Sequence, residues 1–184
     1  MDLGINLVCA DRGAESVVPG LSVRENLFLN PVAAGRKLVS YLRPDPESRA
    51  AFDLGDRIGL RPNDCSLPIE WLSGGNQQKV VVGRWLHLKA RIYVFEDPTA
   101  GVDVGAKAEI YRLFDVVLQR GATILIVSND FEEVAKICHR ALVFDRGQVV
   151  AELAGGDLCA ENLLAAASAS VGQVQRALDA IPEI

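Results

Sequence analysis

Three short, mainly apolar runs constrain the fold of this chain more than any other feature of its sequence. They are Gly4 to Cys9, Ile92 to Phe95 and Thr123 to Val127. Apolar runs without polar alternation are typical of parallel strands that are buried on both faces. Helical patterns separate these runs, so the sequence predicts an α/β fold that is built on a parallel sheet.

Helix and hairpin signals occupy the sequence around and after the third run. One helix is predicted to begin near Gly105. Its apolar face recurs at i, i+3, i+4 and i+7, as Ile110, Leu113, Phe114 and Val117. A shorter helix is predicted after Asp130, because aspartate is a good N-cap residue. Two further strands, Ala141 to Phe144 and Gln148 to Leu153, are predicted to form a hairpin around a tight turn at 145–147.

The segment from Ser22 to about Leu72 has a different character. It contains two helical stretches, Ser22 to Leu29 and Glu47 to Ile58, which are broken by proline and glycine. This pattern predicts a small helical lobe that is inserted between two strands of the sheet. The Ala-rich part from Asp157 onward is predicted to be a helix with a loose tail.

Composition excludes several classes of protein. The 184 residues are 49% apolar, which is too many for a disordered chain. A net charge of −5 is the opposite of what a protein that grips a phosphate backbone usually has, so we expect no nucleic-acid partner. The four cysteines are scattered, which favours a reducing, intracellular environment over a disulfide or zinc framework. Because the sheet begins at residue 4, we expect it to have exposed edges and the isolated chain to have low solubility. The sequence looks like the back part of a domain.

The motif LSGGNQQK, which begins at Leu72, is the strongest chemical signal. Ser73 is followed by two glycines and then by an amphipathic helix, on which Val81, Trp85 and Leu88 share one face. A helix start without bulky side chains offers backbone N–H groups and the positive end of the helix dipole to a phosphate. The alternative is an ordinary serine N-cap with glycines in the preceding loop.

The second signal is the acidic pair at the end of the second apolar run, Glu96-Asp97, which precedes Pro98-Thr99. Ligands bind at the carboxyl ends of the strands in α/β sheets. One carboxylate can hold Mg²⁺, directly or through water, and the other can orient an attacking water. The alternative is a pair of solvated acids at a strand end.

Together, these segments resemble the ATP-binding cassette (ABC) ATPases. LSGGNQQK, the stretch Pro98 to Lys107 and GLSVREN at Gly20 to Asn26 look like bacterial monosaccharide importers of the ribose, galactose and xylose type. In that family one polypeptide carries two fused cassettes, and the resemblance is closest to the second. It implies a P-loop NTPase (RecA-like) core with an inserted helical subdomain at about 22–88, a partial ATPase domain at 1–155, and a C-terminal helix and tail at 156–184.

The resemblance also implies functional residues, cofactors and partners. Asp97 and Asn129 would be catalytic and Glu96 would face the metal. ATP and Mg²⁺ would be the cofactors, and the partners would be a second cassette, membrane permease subunits and, indirectly, an external sugar-binding protein. Such a subunit is cytoplasmic and peripheral on the inner face of the membrane. The implied nucleotide-binding residues are Ser73, Gly74, Gly75, Asn76 and Asp103.

The sequence departs from the family pattern at four points. The phosphate loop GxxxxGK[ST] does not occur in it. The usual Asp-Glu pair is inverted to Glu96-Asp97, and Ala10 stands where a polar residue normally senses the γ-phosphate and the permease. Asn129 occupies the switch position, which is histidine in most cassettes.

Three hypotheses remain at this point. The chain is part of an importer ATPase, or it is a degenerate cassette that only donates its signature motif to the nucleotide of a partner. The third is a chromosome-maintenance or repair ATPase, which would require long heptad arms, and the sequence has no sustained heptads.

Overall fold

The three apolar runs pair as parallel strands of one sheet. A computed structural model of the protein describes residues 4–9, 16–29, 44–88 and 90–168. The strands are β1 (Ile5–Val8), β2 (Ile92–Glu96) and β3 (Thr123–Val127), in the order β1-β2-β3. Phe95 pairs with Val8 on one side and Ile126 on the other, and Glu96 pairs with Val127. The carboxyl ends of β2 and β3 therefore meet at one edge, as parallel pairing requires.

The sheet is buried on one face only, which differs from the predicted burial on both faces. Phe95 is fully buried, and its ring lies 4.7 Å from that of Phe114. The other face carries Ile5, Leu7, Leu125 and Val127, whose exposed fractions are 44%, 53%, 54% and 58%. A run of apolar side chains indicates that both faces of a sheet can be buried. Each face is buried only where another element covers it.

Among the described residues, four α-helices belong to the same part of the chain as this sheet. They are α1 (Val23–Leu27), α2 (Pro44–Arg57), α3 (Gly74–Leu86) and α4 (Val104–Leu118). A short 3₁₀ helix, Ile69–Trp71, immediately precedes the loop that leads into α3. Helix α3 packs against β1, and α4 packs against β3.

The helical lobe forms as predicted, with a shorter first helix. A capping box starts α1: the Ser22 hydroxyl accepts from the Glu25 N–H, and Glu25 Oε2 accepts from the Ser22 N–H at 2.7 Å. The Ser22 hydroxyl also donates to Glu25 Oε2, and the hydrogen bonds from the Ser22 hydroxyl and N–H lower the pKa of the Glu25 carboxyl. Arg84 of α3 anchors the lobe, because its Nε donates to the Asn26 carbonyl oxygen at 2.6 Å. Burial lowers the pKa of Arg84 to about 10.

The chain divides into two compact units, Met1–Val127 and Ser128–Ile184. The second unit contains α5 (Phe131–Ile137), β4 (Arg140–Asp145), β5 (Gln148–Ala154), a 3₁₀ helix at Gly155–Asp157 and a helix over 160–168. The predicted hairpin is confirmed: β4 and β5 pair antiparallel around Arg146 and Gly147, whose φ values are 47° and 78°. Two successive positive φ values are the mark of a type I′ turn. The predicted tail beyond 168 lies outside the described residues.

Candidate functional site

The LSGGNQQK motif places a capped helix start at the protein surface. Ser73 is the N-cap of α3, and its Oγ accepts from the Asn76 N–H at 3.4 Å and from Asn76 Nδ2 at 2.9 Å. Ser73 and Gly74 are exposed. The first N–H groups of a helix have no partner within the helix, and the dipole is positive there. This helix start is therefore suited to an anion.

Gly75 is buried because the start of α3 lies directly against the start of α4. A Cβ at Gly75 would stand 2.7 Å from Ala106 Cβ and 3.4 Å from Asp103 Oδ2. Asp103 is itself an N-cap, since its Oδ1 accepts from the Ala106 N–H at 3.0 Å. The structure thus brings Asp103 beside the Ser73–Asn76 stretch, two parts of the sequence that were assigned to one site from the resemblance alone.

The acidic pair ends β2 in a sharply turned backbone. Glu96 is exposed, on the same sheet face as Leu125 and Val127, and Asp97 is half-buried. Asp97 has a φ of 39°, in the left-handed region that costs a non-glycine residue roughly 1–2 kcal/mol. Its N–H donates to the Val127 carbonyl oxygen at 2.8 Å, and its carbonyl oxygen accepts from the Ala100 N–H at 3.1 Å. These bonds stabilise the turn, and strain of this kind is concentrated at functional sites.

Two polar side chains of the LSGGNQQK motif, Gln78 and Lys79, connect α3 to its surroundings. Gln78 is 2% exposed, and its Nε2 donates to the Pro98 carbonyl oxygen at 2.7 Å. Lys79 is 4% exposed, forms an ion pair with Glu109 of α4 and donates to the Gly59 carbonyl oxygen at 2.9 Å. Polar residues on the buried side of an amphipathic helix were the available signal for both.

The acidic pair also suits a magnesium ion that is shared with a phosphate. Mg²⁺ is usually held by one or two carboxylates, with water and substrate oxygens completing its shell. Within the described ranges, no group of three or more His, Cys, Asp and Glu side chains could hold a metal. The carboxylates of Glu96 and Asp97 fit a site in which water and phosphate oxygens supply the remaining ligands of the ion.

The remaining predicted site residues lie elsewhere. Asn129 follows β3 in the chain and belongs to the second unit. Ala10 lies outside the described residues. No helix in the described part of the chain is both long enough and apolar enough to cross a membrane.

Comparison with solved structures identifies the fold. The cassette MJ1267 in its ADP conformation superposes with a TM-score of 0.67 at 22% identity, over 93% of this chain and 68% of that one. The cassette MJ0796, a dimer bound to ADP and Pi, gives 0.65 at 23% identity, over 82% of this chain and 62% of that one. The predicted fold class, a P-loop NTPase core with helices on a parallel sheet, is confirmed.

Sequence comparison finds curated relatives that match most of the chain. The ribose import ATP-binding protein RbsA of Burkholderia mallei is 38% identical over 152 residues, which are 83% of this chain and 30% of that protein. RbsA of Hahella chejuensis is 36% identical over 168 residues, 91% of this chain and 34% of that protein. The chain is a homologue of ribose import ATP-binding proteins. No protein-family profile matches the sequence.

The chain spans about a third of the length of the curated relatives that it matches, 30% and 34% in the two cases. In ABC terms, the described site consists of the signature helix start at Ser73–Asn76, the loop that ends at Asp103, and the acidic end of β2. The roles of these residues stay predictions.

Proposed function

We propose that this chain is the C-terminal part of the second cassette of an ATPase that couples ATP binding and hydrolysis to monosaccharide uptake. The observation that carries the proposal is the capped start of α3, packed on the start of α4, in a chain that aligns with ribose import ATP-binding proteins. A glycine-bearing helix start of this kind suits a phosphate, and the relatives are ATP-binding proteins.

The signature side of the site would act on a nucleotide that is held by the other cassette. Ser73, Gly74, Gly75 and Asn76 would face its γ-phosphate with backbone N–H groups and the helix dipole. Asp103 would join them from the start of α4, which lies against Gly75. The exposure of Ser73 and Gly74 supports this role, because an anion can approach them from solvent.

The acidic side would act on the nucleotide of its own cassette. Glu96 would hold Mg²⁺, which neutralises charge on the transferred phosphoryl group. Asp97 would orient the attacking water, and Asn129 would stand at the switch position. Phosphoryl transfer needs positioning and electrostatic stabilisation more than covalent chemistry, so the placement of these side chains decides the rate.

The domain division and the partners belong to the same proposal. Residues 1–155 would form the partial ATPase domain, with its helical subdomain at about 22–88 and the C-terminal helix and tail at 156–184. The chain would work with a second cassette and membrane permease subunits and, through them, with an external sugar-binding protein. It would therefore lie on the cytoplasmic face of the membrane, and it would bind no nucleic acid.

A chimera tests this function. This chain would replace the aligned part of the second cassette of Burkholderia mallei RbsA, which would be assayed with its permease for ATP hydrolysis and ribose uptake. We expect measurable hydrolysis. Ser73→Arg should abolish the part that occurs at the partner cassette's nucleotide, because the large cation at the helix start blocks the phosphate, and Asp97→Ala should abolish the part at this cassette's own nucleotide. A folded chimera that binds ATP but hydrolyses none, even with the pair changed back by Glu96→Asp and Asp97→Glu, would contradict it.

A second candidate is a cassette that only donates its signature. The inverted pair favours it: Asp97 is one methylene shorter than the glutamate expected there, so its carboxylate reaches less far toward a water. In that case the chimera supports hydrolysis at the partner site only. Gly75→Asp should then abolish all turnover, whereas Asp97→Ala should change none of it.

A further inference from the structure

The buried amide of Gln78 is the feature that the proposed function leaves unused. Its Nε2 donates to the Pro98 carbonyl oxygen at 2.7 Å, and only the NH₂ group can face a carbonyl oxygen. The other amide atom, Oε1, is buried without a hydrogen-bond partner in the part of the chain that the structure describes. An orphaned buried acceptor is destabilising, so methionine or leucine would suit stability better at this position. The glutamine needs another reason.

The carbonyl that Gln78 binds belongs to the turn that carries Asp97. Pro98 has no N–H, so its carbonyl is the only backbone hydrogen-bonding group of that residue. The peptide groups of Asp97 on either side of its positive φ are held by Val127 and Ala100. The Gln78 bond is the contact to this turn that comes from the signature helix, 20 residues away in sequence.

One face of α3 contacts both α4 and the loop that follows β2. Gly75, Gln78 and Lys79 are spaced i, i+3 and i+4, so they lie on the same side of the helix. Gly75 abuts Ala106, and Lys79 pairs with Glu109, both on α4. Of the three residues, Gln78 is the one that hydrogen-bonds the turn at Pro98.

We propose that Gln78 is a positioning residue, which holds the turn at Pro98 and so fixes the direction of the Asp97 carboxylate relative to the signature helix. A displacement of α3 then moves the Asp97 turn with it. The signature helix start would face the nucleotide of the partner cassette, and the Asp97 carboxylate would serve the nucleotide of its own cassette. The bond from Gln78 thereby links the two within a single chain. The proposal rests on the proposed function in one respect, the role of Asp97 toward water.

Amide hydrogen exchange of this chain tests the positioning directly. In Gln78→Met, the N–H groups of Asp97 and Ala100 should exchange about tenfold faster relative to the other amides of β2 and β3. The control is Tyr93→Phe, which also removes a buried side-chain donor, since Tyr93 Oη donates to the Leu88 carbonyl oxygen at 2.7 Å. That control should leave the relative exchange of the two amides unchanged. Unchanged exchange in Gln78→Met would overturn the proposal.

A shorter amide provides a second variant if Gln78→Met does not fold. Gln78→Asn keeps the polar group but is one methylene too short to keep the bond to Pro98, so the same acceleration is expected. An Asn variant with the exchange of the parent chain would also overturn the proposal.

Kinetics of the chimera test the functional half. Gln78→Met should lower kcat about tenfold with KM for ATP within about twofold, because misplacing a catalytic group affects turnover more than binding. Tyr93→Phe should change neither. A kcat equal to that of the parent chimera, or an equal loss in both variants, would overturn the proposal. If the chimera hydrolyses no ATP even with Glu96→Asp and Asp97→Glu, the proposed function fails, and the exchange experiment still decides whether Gln78 holds the turn.

Discussion

The signature start of α3 and the acidic end of β2 are built in different ways. The N-cap of the helix start is formed within a few residues, since Ser73 accepts from Asn76 three positions on. The strand end is held by residues far away in sequence, since Asp97 donates to Val127 and the Pro98 carbonyl accepts from Gln78. A local motif forms wherever its own few residues are present, whereas the acidic turn exists only when the sheet and α3 are assembled.

Because of this difference, we expect nucleotide binding and ATP turnover to respond differently to changes elsewhere in the protein. An anion-binding helix start tolerates small shifts of its surroundings, because backbone N–H groups and the dipole belong to the helix itself. A water-orienting carboxylate must lie within about 2.6–3.2 Å of its target, so it depends on every contact that sets the backbone beneath it. Changes remote from the acidic pair should therefore reduce turnover before they reduce nucleotide binding.

The largest expected effect tests whether the two regions suffice by themselves. A polypeptide of these 184 residues alone should hydrolyse no measurable ATP. Its sequence contains no GxxxxGK[ST] loop to position the β- and γ-phosphates, and positioning supplies most of phosphoryl-transfer catalysis. Phosphate release at saturating ATP is the measurement. Turnover that disappears on Asp97→Ala would show that the acidic end needs no such loop.

The next effect concerns the inverted pair. In the chimera, the double change Glu96→Asp and Asp97→Glu should raise turnover about tenfold or more, equivalent to about 1.4 kcal/mol of barrier. The longer side chain reaches the water from the fixed turn at φ 39°, and the shorter one suits the compact shell of Mg²⁺. ATP affinity, measured in parallel, should change less. Equal rates for the two pairs would mean that the strand end adjusts to either.

A packing change tests the contact between the two helix starts. Gly75→Ala should lower the free energy of unfolding by about 1–3 kcal/mol, because its Cβ would meet Ala106 Cβ at 2.7 Å. Urea denaturation that is followed by the fluorescence of Trp71 and Trp85 measures it. In an Ala106→Gly background the same substitution should cost much less, since the opposing methyl group is gone. Equal costs in both backgrounds would show that α3 and α4 separate freely.

The smallest effect compares the two caps. Ser73→Ala and Asp103→Ala should each destabilise the protein by about 1 kcal/mol, the usual cost of losing an N-cap. The Ser73→Ala change should accelerate amide exchange at the start of α3 and leave the Asp97 and Ala100 amides unchanged. Faster exchange at those two amides would mean that the helix start and the acidic turn are not independent.

Local features were predictable from the sequence. The three apolar runs became β1, β2 and β3 within one residue of their predicted ends, because short apolar segments have few other ways to bury themselves. The predicted cap at Asp130 formed, as did the serine N-cap weighed for Ser73, since a cap needs only its own first turn. The turn at 145–147 formed for the same reason, as Gly147 accepts a positive φ at no steric cost.

Long-range features were not predictable. Apolar composition could not tell that one face of the sheet keeps Leu125 and Val127 more than half exposed. Nor could it tell that Gln78 reaches the Pro98 carbonyl, or that Asp97 takes a positive φ. A sequence pattern indicates which side chains are polar and which periodicity they follow, but a hydrogen bond across 20 residues needs both partners held in place by the fold. The sequence by itself thus determined the strands, the caps and the glycine-bearing helix start. The tertiary structure decided the backbone turn on which Asp97 stands, because only packing sets the distance between separate elements.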